Sequence, residues 1–270
     1  MAGHITRHKI DPKRVEESRN LALEYLPRFL KAVRRSPNNL PTVISTGVRL
    51  ACCAHALDSN SSHVRMGLDV AGAACAALFQ ACDPTSSHPP ITIEGEVLQY
   101  DSRPDGSLIY PRQWLEGYFI NAIIGDVDRL NSLADIPIDV FKGSSTVSPR
   151  YAHAFVSVLQ AYWRSQPNVS KLLIEALELT DPERPDILKI DWTLNIDVPL
   201  LELLFRLTAG ESDFGAAAGR ALENHKSYWK STAKSRNNPE GFASLGISGL
   251  CKLAAGQGLT IDVSSDYLIA

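Results

Sequence analysis

The chain has 270 residues, of which 44% are hydrophobic and 21% are charged, and its formal net charge is −3. This composition is typical of a globular protein and excludes a disordered or collagen-like chain. The slightly acidic balance argues against binding nucleic acid through overall charge. A chain of this length can bury enough surface to fold without a metal ion or disulfide bonds.

Apolar residues at three- and four-residue spacing predict helices along most of the chain. Asp11-Pro12 is typical of a helix start, and the first helix is predicted to run to about Arg35 with an interruption or kink near Pro27. Further helices are predicted at residues 40–57, 64–82, 111–134, 149–164, 168–179, 200–208, 212–234 and 242–255. Asp197 is predicted to cap the helix that follows it.

Two short regions depart from this helical periodicity. Residues 91–100 alternate in part, and Arg103-Pro104-Asp105-Gly106 is a turn sequence, so a β-hairpin insertion is predicted at 91–110. Residues 259–263 predict a short C-terminal strand. The sequence therefore predicts an all-α fold, a single domain over residues 1–270 that forms a compact bundle of antiparallel helical hairpins with these two β additions.

The cellular location is predicted from the N-terminal segment, the length of the apolar runs and the cysteines. The basic N-terminal segment has no apolar stretch behind it and does not resemble a signal peptide. The longest uncharged apolar run, residues 70–79, is shorter than the ~20 residues that cross a bilayer. An odd number of cysteines in apolar helical stretches favours reduced, buried thiols in a cytoplasmic protein without a membrane partner. These cysteines are Cys52, Cys53, Cys75, Cys82 and Cys251.

No residue pattern carries a recognisable catalytic or metal-binding motif. The seven histidines form no His-Glu-x-x-His pair, and the glycine-rich residues 241–249 lack the strand and lysine of a phosphate-binding loop. Asp126 and Asp128 would point about 200° apart on a helix. We therefore expect no enzymatic activity, cofactor or metal. An enzyme with an unrecognised site near His153 or His225 stays open as an alternative.

Charge is distributed unevenly along the chain. Residues 1–35 carry a net charge of +5, whereas residues 91–210 carry −7. A solvated surface is the ordinary explanation of such an acidic region, and the functional alternative is a docking surface for a basic protein, because complementary charge accelerates association and selects partners. Its two clusters are Glu94, Glu96, Asp101 and Asp105, followed by Asp181, Glu183, Asp186 and Asp191.

The second half of the chain resembles the immunity protein 49 family, whose members are bacterial proteins encoded beside polymorphic toxins. The motifs that carry this resemblance are Trp114-Leu115, Asp128-Arg129-Leu130, Ala176-Leu177, Ala221-Leu222, His225-Lys226, Tyr228-Trp229 and the ending Gly258-Leu259-Thr260-Ile261-Asp262-Val263-Ser264-Ser265-Asp266-Tyr267-Leu268. One departure is Ile269, where the family pattern would have proline. The resemblance implies an all-α cytoplasmic protein that binds and neutralises one cognate toxin.

These observations lead to one functional hypothesis and one rival of a different class. The hypothesis is an immunity protein that inhibits a secreted bacterial toxin by direct stoichiometric binding in interbacterial competition. Many such toxins are nucleases with basic clefts that hold phosphates, so the two acidic clusters are the predicted toxin-binding residues. The rival is a helical-repeat scaffold or adaptor. No nucleic-acid partner is expected, and the sequence does not determine the oligomeric state.

Overall fold

A computed structural model of the protein describes residues 3–83, 91–93, 96–98, 104–187, 189–211 and 213–269. This part of the chain is mostly helical, as predicted, with twelve α-helices and one small two-stranded sheet. The helices are α1 (Pro12–Arg35), α2 (Leu40–Leu57), α3 (Ser62–Cys82), α4 (Pro111–Ile124), α5 (Val127–Asp135), α6 (Arg150–Trp163), α7 (Val169–Glu178), α8 (Ile190–Trp192), α9 (Val198–Ala209), α10 (Phe214–Lys230), α11 (Ala233–Arg236) and α12 (Leu245–Gly256).

Helices α2 and α3 form the centre of the N-terminal half and approach each other closely. A Cβ atom on Gly47 would lie 2.8 Å from the carbonyl oxygen of Gly67, and one on Gly67 would lie 2.5 Å from that of Gly47. Residues 37–57 and 62–82 are long and apolar enough to span a membrane by composition alone, but 61% and 78% of those windows are buried inside the protein. Core packing therefore accounts for their hydropathy.

Three predicted helices differ from the observed ones, and one of them, 212–234, divides into α10 and α11. The predicted helix 111–134 divides into α4 and α5, because Gly125 adopts a left-handed conformation (φ +78°) and Asp126 then caps α5 by accepting a hydrogen bond from the backbone N–H of Arg129 (3.0 Å). The first helix, in contrast, is continuous through Pro27. Pro27 has no N–H to donate to the carbonyl oxygen of Leu23. Because Pro27 lies on the exposed side of the helix, water can hydrogen-bond to that oxygen instead.

The β-hairpin is smaller than predicted and turns at a different place. Its strands are β1 (Ile91–Ile93) and β2 (Glu96–Leu98), antiparallel, with Ile91 opposite Leu98. Residues 106–108 form a 3-10 turn instead of a second strand. The Asp105 side chain accepts a hydrogen bond from the N–H of Ser107 (2.9 Å), and this local bond favours a turn over an extended strand.

The predicted strand at 259–263 is wrong. Those residues are irregular, and the C-terminal segment instead makes one isolated parallel β-bridge, between Ile5 and Ser265. A strand needs a neighbouring edge along its length, and here the adjacent N-terminal segment leaves after one bridge.

The N- and C-terminal segments hold each other through a set of buried polar contacts, which we name the terminal clasp (residues 4–8 with 264–267). The Arg7 side chain donates to the carbonyl oxygens of Ala56 (3.1 Å), Phe242 (2.7 Å) and Asp266, and its backbone N–H donates to the Asp266 carboxylate (2.9 Å). His8 lies against Tyr267, with Nδ1 2.7 Å from the phenol oxygen. The clasp therefore ties both ends of the chain to α2 and to the segment before α12.

The cysteines agree with the prediction of free thiols. Cys52, Cys53 and Cys75 are buried, Cys82 and Cys251 are partly buried, and Cys52, Cys53, Cys75 and Cys251 carry free thiols. Burial raises the pKa of the Cys251 thiol to about 12, and desolvation likewise raises the pKa of the three buried thiols. The single-domain organisation over residues 1–270 stays a prediction.

Candidate functional site

The first predicted acidic cluster is described only in part. Glu94 and Asp101 lie outside the described residues, and Glu96 is described only as part of β2. Asp105 is exposed; its backbone N–H donates to Asn38 (2.8 Å), and its side-chain bond to Ser107 lowers the pKa of the carboxyl. Asp105 therefore has a local structural role in addition to its charge.

The second predicted cluster lies before and within α8, and its members differ. Asp181, Glu183 and Asp191 are exposed to solvent. Asp186 is partly buried and accepts a hydrogen bond from the backbone N–H of Arg150 (3.1 Å), the first residue of α6, which lowers the pKa of its carboxyl. A carboxylate at a helix N-terminus stabilises that helix, so Asp186 is also structural.

One loop, residues 144–149, connects the neighbourhoods of the two clusters. Ser145 donates both its N–H and its hydroxyl to the carbonyl oxygen of Ser107 (3.1 and 2.8 Å), beside Asp105. Five residues further on, Arg150 contacts Asp186. Five residues span at most about 18 Å, so the described parts of the two clusters lie in the same region of the surface.

A second candidate site was not predicted from the sequence: a cleft that we name the Trp192 cleft. It has a volume of about 100 Å³. Its walls come from α4, α9, α10, residues 240–247 and the segment between α8 and α9. That last segment, Thr193–Asp197, is a π-helix, which is rare in proteins and is frequently found at functional sites.

Acidic side chains converge on this cleft. Glu116 of α4 receives no hydrogen bond or ion pair from the described residues, and burial raises the pKa of its carboxyl to about 7. Asp197 accepts hydrogen bonds from Tyr151 (2.7 Å) and from the indole N–H of Trp192 (2.8 Å), both at Oδ2. Burial raises the pKa of Asp197 as well. The predicted capping role of Asp197 is wrong, because its side chain makes no cap bond and points to these partners instead.

Aromatic rings form part of the wall of the cleft and of its mouth. The Arg112 guanidinium lies 3.5 Å from the centre of the Trp192 ring and 3.7 Å from the Glu240 carboxylate. The Trp192 ring contacts Trp229 edge to face, with ring centres 5.9 Å apart. Trp229 is only 4% exposed, and its indole N–H has no acceptor among the described residues. The cleft thus combines acidic groups, aromatic faces and an unpaired donor.

Of the two histidines considered for catalysis, one lines the cleft. His225 is 5% exposed; its Nε2 lies 3.3 Å from the carbonyl oxygen of Gly241, so this nitrogen carries the proton. Burial lowers the pKa of His225 to about 3. It is therefore neutral at physiological pH and is a weak base. His153 does not line the cleft; its ring lies 5.7 Å from that of Phe141.

Metal binding finds no support within the described ranges. Among those residues, no three His, Cys, Asp or Glu side chains are grouped so that they could hold a metal ion.

Two of the family signature residues, Trp114 and Tyr267, occupy structural positions, whereas His225 and Trp229 line the cleft. Trp114 is fully buried and donates its indole N–H to the carbonyl oxygen of Leu133 (3.0 Å) at the end of α5. Tyr267, in the C-terminal ending, is also fully buried and lies beside His8 and His225, 4.8 Å from the latter ring. Trp114 and Tyr267 therefore report the fold rather than a reaction.

Comparison with known proteins agrees with this geometry. The family described as immunity protein 49 matches residues 55–268. The chain belongs to this family. The match begins earlier than the motifs seen in the sequence and takes in the end of α2 and all of α3. No curated protein and no solved structure matches the chain significantly.

Membership of the immunity protein 49 family gives the motifs and the one departure a physical meaning. Immunity-protein families are in general not enzymatic, and their partner is a toxin protein. The N–H of Ile269, where the family pattern would have proline, donates to the Ser248 hydroxyl (3.0 Å). Proline has no N–H and could not form this bond. This bond fastens the C-terminal segment to α12.

The Trp192 cleft escaped sequence reasoning for identifiable reasons. Glu116 is one acidic residue in a helix whose other side chains are mainly apolar, and Trp192 lies between the predicted helices 168–179 and 200–208. The available signal was a carboxylate in a buried helix, since such groups are rarely buried without a purpose or a partner.

Proposed function

We propose that the protein is a cytoplasmic immunity protein that neutralises a secreted bacterial toxin by direct, stoichiometric binding, without enzymatic activity of its own. The observation that carries this proposal is the family match over residues 55–268. A well-packed helical protein suits the task, because a preformed surface loses little conformational entropy when it binds.

The charge of the described surface supports a basic partner. Asp181, Glu183 and Asp191 are exposed, and Asp191 directly precedes Trp192 of the cleft, whose own carboxylates are Glu116, Asp197 and Glu240. Acidic groups of this kind complement the basic, phosphate-binding cleft of a nuclease. A nuclease is accordingly the toxin class that we propose.

The two rival hypotheses, an enzyme and a scaffold or adaptor, have less support. A general acid or base at His225 would need a pKa near the working pH, whereas burial lowers the pKa of His225 to about 3. A scaffold or adaptor would need several partners, and no feature of the described residues favours more than one.

The proposal is tested by co-expression in a sensitive host with the toxin domain encoded beside the gene. The expected result is survival of the host and co-purification of a complex with equal amounts of both chains. A non-cognate immunity protein expressed to the same level is the control and should not protect. Loss of viability with both proteins present and soluble would refute direct neutralisation.

A further inference from the structure

We propose that the Trp192 cleft receives one basic side chain of the toxin, a lysine or an arginine, inserted from the partner's surface. This inference rests on the proposed function and adds where and by what chemistry the partner is held. The occupant is a side chain of a protein, because the cleft is small and its mouth is open to solvent. The side chains of Arg112 and Glu240 at the mouth are 47% and 52% exposed.

The first argument is the balance of charge. The cleft is lined by the carboxyl groups of Glu116, Asp197 and Glu240 but by only one basic side chain, Arg112. Arg112 lies at the mouth, 3.7 Å from Glu240, and makes no hydrogen bond or ion pair with Glu116 or Asp197. A second cation inside the cleft would complete the pairing, whereas a phosphate or another anion would be repelled.

The second argument is the presence of polar groups without partners, of which the Trp229 indole is buried and Glu116 is partly buried. The Glu116 carboxylate receives no hydrogen bond from the described residues, and the indole N–H of Trp229 has no acceptor. Nearly all buried polar groups in folded proteins are hydrogen-bonded, so unpaired groups beside a cavity indicate a missing ligand group or water. A basic side chain would donate to Glu116, and a carbonyl oxygen near it would accept from Trp229.

The third argument is that the aromatic wall already holds a cation of the same kind. The Arg112 guanidinium lies 3.5 Å from the centre of the Trp192 ring. An aromatic face attracts a guanidinium or ammonium group, most strongly where water is partly excluded. The inner aromatic face of the cleft comes from Trp229, Phe119 and Phe155.

The size of the cleft fits this occupant. A volume of about 100 Å³ corresponds to roughly seven water-sized positions, which is enough for the end of a long side chain but not for a helix. An arginine or lysine side chain also brings apolar methylenes that can pack against Leu200 and Phe155. An inserted Arg surrounded by aromatic residues is typical of interface hot spots.

The direct test uses the full chain and small probes. N-acetyl-arginine methylamide and N-acetyl-lysine methylamide are titrated while the NMR signal of the Trp229 indole N–H is followed. Citrulline in place of arginine is the uncharged probe of matching shape. The expected result is a saturable shift with the basic probes and at least about tenfold weaker binding of the citrulline probe. Equal shifts with all three probes, or no saturable shift, would overturn the inference.

Variants locate the effect within the cleft. Glu116→Gln keeps the size of the side chain and should weaken binding of the arginine probe about tenfold. Glu175→Gln, on the exposed face of α7 and remote from the cleft lining, is the matched control and should leave binding unchanged. Unchanged binding in Glu116→Gln would overturn the inference.

The toxin itself separates this inference from the proposed function. If wild type forms a complex with the neighbouring toxin and Glu116→Gln reduces its affinity while Glu175→Gln does not, both stand. If the complex forms with equal affinity in all three proteins, the cleft is not the contact and only this inference fails. If wild type forms no complex, the proposed function fails, whereas probe binding at the cleft is judged separately.

Discussion

The terminal clasp and the Trp192 cleft both contain partly or fully buried ionisable groups, but these groups are hydrogen-bonded in the clasp and largely not in the cleft. In the clasp, Arg7 and His8 are paired with named backbone or side-chain partners. In the cleft, Glu116 and the indole N–H of Trp229 are left without partners among the described residues. The comparison teaches that perturbed ionisation alone does not identify a binding site. The distinguishing feature is whether hydrogen-bonding capacity is already satisfied.

The largest effect on stability should follow from breaking the clasp. Arg7→Ala removes donors to the carbonyl oxygens of Ala56, Phe242 and Asp266, so these groups would lose their partner. We expect a loss of about 2–4 kcal/mol in the free energy of unfolding, measured by urea denaturation. Arg14→Ala is the control, because its ion pair with Asp11 is long (3.6 Å) and exposed, and should cost less than about 0.5 kcal/mol. Equal losses would show that the clasp is not a special contact.

A second prediction concerns the response of two buried histidines, His55 and His225, to acid. Burial lowers the pKa of His225 to about 3 and that of His55 to about 4, whereas both ionise near 6.5 when unfolded. Below pH 6.5 the unfolded state therefore binds more protons, so stability is full above pH 6.5 and falls as the pH decreases. Each histidine should contribute up to about 1.4 kcal/mol per pH unit.

This pH response can be assigned with a variant. Urea denaturation between pH 7 and 5 should show a shallower loss of stability in His225→Gln than in wild type. An unchanged slope would mean that His225 is not kept neutral by the fold.

Stability should depend on the ionisation of Glu116 with the opposite sign to that of His225, although both residues line the cleft. Burial raises the pKa of Glu116 to about 7, above its ordinary value near 4.5. The folded state therefore holds this proton more strongly, and its contribution to stability is lost as the pH rises from 4.5 through 7. Glu116→Gln should then raise the free energy of unfolding at pH 8 by about 1 kcal/mol and change it little at pH 4.5. Destabilisation at pH 8 would show that the carboxylate is already satisfied.

The smallest effect on stability is expected at the exposed acidic cluster. Reversing Asp181, Glu183 and Asp191 to lysine should change the free energy of unfolding by less than about 0.5 kcal/mol, because exposed charges contribute little. Asp186→Asn should lower the free energy of unfolding by more, since Asp186 accepts a hydrogen bond from the first residue of α6.

The kinetics of toxin binding should separate the roles of the exposed cluster and of the cleft. The reversals should lower the association rate in a salt-dependent manner, whereas Glu116→Gln should mainly raise the dissociation rate. Association that is unaffected by reversal and by salt would make this cluster only a solvated surface.

The sequence by itself determined the helical class, most helix positions, the free thiols and the family. These features follow from local periodicity, capping residues and the order of motifs. Such patterns can be identified in the sequence without knowledge of the fold. The β-structure was predicted less accurately from the sequence. The strands of the hairpin pair with Ile93 opposite Glu96 and not across residues 103–106, and residues 259–263 have no strand partner. Both depend on which distant segment lies alongside.

Only the tertiary structure decided where polar groups are buried and with what partners. Trp192 and Asp197 are neighbours in one continuous helical run, but Glu116 lies far away in the sequence, on α4, and nothing in the spacing indicates that it shares their cleft. The same holds for Arg7 and Asp266, which are 259 residues apart in sequence and adjacent in space. Local sequence patterns specify which side of a helix is buried. The residues that pack against that side are set by the fold of the whole chain. Those neighbours decide whether a buried polar group is hydrogen-bonded or is available to bind a partner.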